Sequence, residues 1–479
     1  MTRQPYHSCL IPGLDVLIDN PDILNPFKET KKKAENLYIP DGFFRRACGF
    51  CEDPKERWSS RGFSAHLLVK YLRILYAMRN STGQEYAVLP NGTKVIFKNP
   101  RNIFSEEDFA KSTKFQVVAL AYELTRDNTN ATDFAILTAN DRLAGFALQK
   151  ELDVVEYTPE IYTGRRKVTL PFEASSLWLS NRRISPTEWR DAFPEEKPLL
   201  PNEFVEFISE SPILTGRRFD MVGRFDAEEN ALIPLRYRYL STDNNPAKIY
   251  PRNPGQAMMI EALQIPPSEV PLVITSGIFG TGKTFLSVAA AYFATLSGRY
   301  RKIFICPRDG ALGREIGFVP GDTTEKTRVK AKAIDDALLE ILSIMRGTAS
   351  QPSKAANIEA WNNLEKELEN VLAKFFRFEP IINMGGHSLK EMFVFYDEAQ
   401  DLNAGQLREL LSRAGDNSKL VLAGDPTQVS NFSLNRSNNG ISIAASRFSG
   451  KPEAMVITFE ENEIERSAAA RAIARYFDY

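Results

Sequence analysis

The run Gly277 to Thr284, GIFGTGKT, has the residue types and spacing to hold a triphosphate. It fits the pattern G-x-x-x-x-G-K-[ST], directly follows the apolar run PLVITS, and opens a helix-like stretch. Glycines at 277, 280 and 282 permit backbone conformations and a close approach that a Cβ would forbid. Successive backbone N–H groups around Thr281 then point inward at phosphate oxygens, helped by the N-terminus of the following helix. Lys283 offers a point charge to the β- and γ-phosphates, and the Thr284 hydroxyl is a ligand for Mg2+. The bland alternative is a glycine-rich turn with a surface lysine, and the placement between strand and helix weighs against it.

Such a loop needs a carboxylate facing it. MFVFYDEAQ, Met392 to Gln400, reads as an apolar strand ending in two acids. Asp397, at the strand end, is the expected Mg2+ holder, and Glu398 the group that orients or deprotonates an attacking water. KLVLAGDPTQ, Lys419 to Gln428, brings a second strand to the same edge, where the Gln428 amide is placed to sense a γ-phosphate. Together these motifs predict ATP and Mg2+ as substrate and cofactor.

The elements that must position them are short apolar runs. PLVITS, KIFICP, MFVFYD, KLVLAG and MVITF read as buried parallel strands with helical stretches between them, the pattern of a parallel sheet covered on both faces. The stretch Thr284 to Leu296 is apolar nearly all round, so a helix there is buried beside the sheet. A long polar insertion, about Thr324 to Phe378, is expected to sit outside the core. Residues 159–245 differ in texture: VTLPFEA, EFVEFIS, MVGRF and IPLRYRYL are short alternating runs split by Pro, Asn, Asp and Gly, which predicts a small β-rich segment. Trp178 and Trp189 fall here and read as core. Residues 1–158 mix helix-like Ala65 to Met78 with a strand-like FAILTAND and a following helix, an α/β pattern. The expected domains are 1–158, 159–245 and 246–479, the fold class α/β.

Lys plus Arg number 60 against 61 Asp plus Glu, a net charge of −1, so nucleic acid would have to meet a local basic surface. No stretch approaches the ~20 apolar residues of a membrane span. The start of the chain, interrupted by Pro12, Gly13 and Asp15, does not read as a signal peptide. Cys9, Cys48, Cys51 and Cys306 are too few for a disulfide framework and fit a cytoplasmic setting. Cys48-x-x-Cys51 is half of a zinc pattern without its second half, and two ordinary thiols are the simpler reading. With His7, His66 and His387 as the histidines, histidine-based catalysis is not expected.

The loop GIFGTGKT, the segment GFVPGD (Gly317 to Asp322), DEAQ, GDPTQ and a terminal ERS resemble the PhoH family, whose ATPases are similar to the RecA-like motors of superfamily 1 helicases. LIDNPDIL, AILTANDRL, YTGRRKV and LIPLRYRYL resemble the two-domain form in which a PIN nuclease domain precedes the ATPase. The resemblance implies that Gln256, in RNPGQ, reads adenine and that Arg466, in ERSAAARAIARYF, reaches a γ-phosphate. It also implies a hexameric ring acting on single-stranded nucleic acid, RNA foremost.

The match breaks in the first block. Where a PIN domain carries its first metal-binding Asp, this chain has Gly13; Arg45 and Arg46 stand near the second acidic position and Lys114 near the third. Asp141 sits where expected, and Asp15, Asp19, Asp22 and Asp41 are the neighbouring acids from which a site could be rebuilt. One carboxylate cannot gather a metal pair, and nearby cations repel the ions. The expectation is therefore a PIN-like domain that does not cut. In the ATPase half the order Pro307-Arg308 and the segment Gly385-Gly386-His387 depart from the family's arginine positions, which bears on strand binding more than on hydrolysis. Three functions stay open: an ATP-driven motor or remodeller on single-stranded nucleic acid, a PIN ribonuclease fed by the ATPase, and a nucleotide-dependent switch or scaffold.

Overall fold

In a computed structural model of the chain, the described residues are 8–26, 34–52, 60–101, 113–127, 134–138, 140–157, 162–170, 178, 181–208, 221–243, 245–306, 332–347, 357–379, 389–430, 434, 436 and 438–465. They divide into two compact units, Met1–Glu160 and Ile161–Tyr479.

The first unit is built on β1 (Cys9–Pro12), β2 (Asn36–Pro40), β3 (Tyr86–Val88), β4 (Lys94–Lys98), β5 (Phe134–Thr138) and β6 (Asp153–Glu156). They form one sheet in the order β3-β4-β2-β1-β5-β6, parallel throughout except for the β3–β4 pair. The interior strand β5, FAILT, between β1 and β6, is buried along its whole length, as a strand covered by helices on both faces must be. The helix read from Ala65 to Met78 runs longer, Ser60–Thr82, and the helix Thr113–Asp127 buries Val117, Val118, Leu120 and Leu124 in the same core. Asn140 caps the helix Asp141–Leu148, its side chain accepting from the Leu143 amide at 3.0 Å.

The second unit begins with β7 (Arg165–Thr169), β8 (Phe204–Ile208), β9 (Val222–Asp226) and β10 (Ala231–Pro234), a four-stranded sheet ordered β10-β9-β8-β7. A two-stranded hairpin, β11 (Leu240–Thr242) and β12 (Asn245–Ile249), follows. Trp178 and Trp189 are buried here at 0% and 2% exposure and are core residues. This β-rich segment lies in the same compact unit as the phosphate-loop sheet: the Thr458 amide donates to Thr163 O, and a Cβ on Gly164 would meet Val456 O at 1.7 Å.

The five apolar runs all form strands: β13 (Leu272–Ser276), β14 (Lys302–Cys306), β16 (Met392–Tyr396), β17 (Lys419–Gly424) and β18 (Ala454–Thr458). A sixth, β15 (Phe376–Phe378), escapes a reading by pattern because FRF is too short to show a period. The order β15-β14-β16-β17-β13-β18 is parallel at every pairing, which places all six carboxyl ends along one edge. The sequence reading of the polar insertion needs correction. Its helices Lys332–Met345 and Asn357–Phe375 bury Leu338, Ile341, Leu342, Leu368 and Leu372 in the main core. Their charged residues cover the outer faces of amphipathic helices, a pattern that total polarity conceals.

Candidate nucleotide site

β13 is wholly buried and ends where the chain must turn sharply into the helix Lys283–Leu296. The turn uses positive φ at Gly277 (148°), Gly280 (82°) and Gly282 (93°), conformations that L side chains rarely adopt. A Cβ at Gly277 would also come within 2.7 Å of the Phe459 side chain. Lys283 is buried, and its ammonium donates to Gly277 O at 2.6 Å, Ile278 O at 2.8 Å and Thr281 Oγ1 at 3.3 Å. The loop thus holds the cation at its own mouth.

Across the loop, the Thr284 hydroxyl donates to Asp397 Oδ2 at 2.8 Å, joining residues from β16 and from the helix after β13. Burial, followed by repulsion from Glu398, pushes the Asp397 carboxyl up to about 6 despite the Thr284 hydrogen bond and the Lys283 charge. A carboxylate so short of solvation, beside a hydroxyl oxygen, is a hard donor pair suited to Mg2+, which commonly takes one or two protein oxygens and completes its shell with water and phosphate. Glu398 occupies left-handed backbone (φ 60°), and its Oε2 accepts from Gln400 Nε2 at 2.5 Å.

Gln400 is the residue that pattern reading missed. It is fully buried and its amide ties the two motifs together: Nε2 also reaches Gln428 O at 3.3 Å, while Oε1 accepts from the Asp425 amide at 3.0 Å. A Cβ on Gly424 would strike Gln400 Oε1 at 2.4 Å, which explains the glycine at the end of β17. The available signal was a glutamine just past the acids of DEAQ, where a solvated turn has no use for a buried amide. The Gln428 side chain itself is exposed beside this junction.

Gln256 lies on the helix Pro254–Gln264, capped by Asn253, whose Oδ1 accepts from the Gln256 amide at 2.9 Å. Both halves of the Gln256 side-chain amide meet backbone: Nε2 donates to Thr281 O of the loop at 3.0 Å, and Oε1 accepts from the Arg252 amide at 2.9 Å. The segment after β18 closes the other side. Phe459 N donates to Ser276 O at 2.7 Å and Glu465 N to Gly280 O at 2.9 Å. Arg466, the next residue, lies outside the described residues. Glu463 is a second residue missed from sequence: buried to 1% exposure, it accepts from the Gly255 amide at 2.7 Å and from Arg165 Nη1 at 2.8 Å. The acids Glu460 and Glu463 at capping spacing were the signal.

In the first unit, Asp15 and Asp141 follow the adjacent parallel strands β1 and β5. Asp15 Oδ2 accepts from the Thr138 hydroxyl at 2.9 Å, while the Asp141 side chain lies outside the described residues. Arg45 and Arg46 are exposed on the helix Gly42–Glu52 that follows β2. Cys51 on that helix donates its S–H to Ala47 O at 3.3 Å. Among the described residues no three His, Cys, Asp or Glu side chains gather to hold a metal, and no helix is long and apolar enough to cross a membrane.

Comparison with known proteins places a PhoH-family domain in the C-terminal part. Residues 248–478 match the family model described as PhoH-like protein. The chain is 29% identical over 305 residues to Protein PhoH2 of Bacillus subtilis, covering 63% of this chain and 61% of that one. It is 31% identical over 220 residues to Protein PhoH2 of Thermobispora bispora, covering 46% and 45%, and 27% identical over 208 residues to a PhoH-like protein of Bacillus subtilis, covering 43% and 58%. The chain therefore spans less than two thirds of the length of each of these relatives.

Proposed function

From a C-terminal part that is a PhoH-family domain, we propose that this protein is a Mg2+-dependent ATPase that uses hydrolysis to bind, translocate along or remodel single-stranded nucleic acid, RNA foremost. The observation that carries the reading is the Thr284–Asp397 hydrogen bond at 2.8 Å beside a glycine loop whose lysine waits on carbonyls. A triphosphate entering the loop offers Lys283 better acceptors than Gly277 O and Ile278 O, so its ammonium turns to the β- and γ-oxygens. Thr284 and Asp397 are the residues that would hold Mg2+, which neutralises phosphate charge during transfer. Glu398, fixed by Gln400, orients the attacking water and takes its proton. Gln428 senses the γ-phosphate through the same Gln400 junction, and Arg466 follows directly on the residue bonded to Gly280 and supplies positive charge, across a subunit boundary in a hexameric ring. The setting is cytoplasmic.

The first unit acts as a PIN-like module that binds without cutting. The exposed Arg45 and Arg46, Gly13 where the first metal-binding Asp would stand, and Asp15 already engaged by Thr138 support binding over metal-assisted hydrolysis. The test is ATP turnover with and without single-stranded RNA or DNA, in wild type and Lys283→Ala. Turnover is expected to rise with the polynucleotide and vanish in the variant. Turnover that responds to no polynucleotide would instead favour a nucleotide-driven switch or scaffold, and turnover surviving Lys283→Ala would defeat the ATPase site. RNA cleavage with Mn2+ that depends on Asp141 would restore the nuclease.

A further inference from the structure

We propose that the outer face of the β11–β12 hairpin is the stacking platform on which single-stranded nucleic acid lies, an assignment that rests on the nucleic-acid reading above. The hairpin is antiparallel with Leu240 opposite Ile249 and Ser241 opposite Lys248. Side chains alternate across a strand, so Leu240 and Ile249 share the inner face, where they are buried in the main core at 1% and 7% exposure. Tyr239, Ser241, Lys248 and Tyr250 fall on the other face.

That face is not the polar surface an exposed hairpin ordinarily presents. Tyr250 is 59% exposed, its ring 5.3 Å from that of Tyr239 at an interplanar angle of 52°. The Lys248 ammonium lies 4.5 Å over the Tyr239 ring. Arg238 and Arg252 are exposed at the hairpin's base, where both strands join the domain. An exposed ring, Tyr250, backed by the half-buried Tyr239 and set among cations matches a polymer that alternates flat bases with phosphates. A duplex hides its base faces, so the fit is to a single strand. An acidic peptide would satisfy the cations but leave the rings without a partner.

The platform is wired to the nucleotide loop by short steps. Its inner face packs against the helix Lys283–Leu296, which begins with the loop lysine. Two residues beyond Tyr250, the Arg252 amide donates to Gln256 Oε1, and Gln256 Nε2 donates to Thr281 O inside the loop. A strand lying on the hairpin therefore biases the backbone that must cradle phosphate.

The experiment is fluorescence anisotropy of a labelled oligouridylate with full-length wild type, Tyr239→Ala/Tyr250→Ala, Tyr239→Phe/Tyr250→Phe and Lys248→Glu. Affinity of a fluorescent ATP analogue is measured in parallel. The alanine pair is expected to bind the oligonucleotide about 10-fold or more weakly, whereas the phenylalanine pair, which keeps both rings, stays within about 2-fold of wild type. Lys248→Glu is expected to weaken binding and lower the slope of log affinity against log salt by about 1. An alanine pair that binds the oligonucleotide like wild type overturns the platform. So does a loss confined to the ATP analogue, which would assign the rings to the nucleotide base. Wild type that binds no oligonucleotide at all defeats the nucleic-acid reading itself, a result distinct from either.

Discussion

Glu398 and Gln400 illustrate how few atoms decide the chemistry at the carboxyl edge. Glu398 takes a left-handed backbone conformation, which costs a non-glycine residue roughly 1 kcal/mol or more and persists because its surroundings hold it there. Gln400 is part of that hold, through its bond to Glu398 Oε2. Glu398→Gln should keep nucleotide affinity yet hydrolyse ATP at least ~10²-fold more slowly, the scale of a lost general base. Single-turnover rates beside ATP-analogue binding would show it, and undiminished turnover would remove Glu398 from that role. Gln400→Leu preserves bulk but leaves Glu398 and the Asp425 amide without their partner. Its expected signature is a kcat lowered about 10-fold with little change in KM, because it misplaces the base and the γ-phosphate sensor more than it alters ground-state binding. A change in KM alone would mean that Gln400 serves ground-state binding and not the reacting geometry.

At the scale of elements, β17 shows how a strand start can carry a titration. Lys419 opens it fully buried, donating to Ile265 O and Val270 O at 2.8 Å each. Burial, and then the charge of Arg299, lower its ammonium from 10.5 to about 7. Above about pH 7 the folded protein holds Lys419 neutral while the unfolded chain stays protonated to near its ordinary value. The unfolded state then binds more protons, so stability rises with pH from about 7 upward, by at most about 1.4 kcal/mol per unit, and the contribution is flat below. Urea unfolding between about pH 7.5 and 8.5 should show this slope in wild type and a shallower one in Lys419→Met. That variant should also lose about 1–3 kcal/mol, because two buried carbonyls lose their donor. Equal slopes would show that the lysine does not titrate as described.

At the scale of the whole molecule, Arg165 joins the β-rich segment to the nucleotide edge. Its guanidinium, 5% exposed, meets Glu206 of β8 on one side and Glu463 on the other, and Glu463 in turn holds the Gly255 amide. The four-stranded sheet and the phosphate loop are thereby parts of one packed unit. Arg165→Met would leave the buried Glu463 without its cation and Glu206 with Lys167 alone, and should cost about 3 kcal/mol, read by chemical or thermal unfolding. Adding Glu463→Gln removes one stranded charge and should restore part of the loss. If the double variant is no more stable than the single, the two groups do not act as a pair.

The amino-acid sequence alone determined the loop, the acids that face it and five of the six strands of its sheet. Each of those signals is local: a glycine spacing, an apolar run of strand length, a carboxylate at its end. The PhoH resemblance of the C-terminal part was legible for the same reason. Tertiary structure decided what depends on residues far apart in the chain. It placed β15 at the sheet edge and folded the charged helices of the insertion onto the core through one apolar stripe each. It gave Gln400 two motifs to join and brought Glu463 and Glu465 back across about two hundred residues to the helix cap and the loop. It also left Tyr250 facing water while its neighbour Ile249 turned inward, a choice set by strand register and by what lies beneath. Short-range pattern specifies which groups are present; only packing specifies which of them meet.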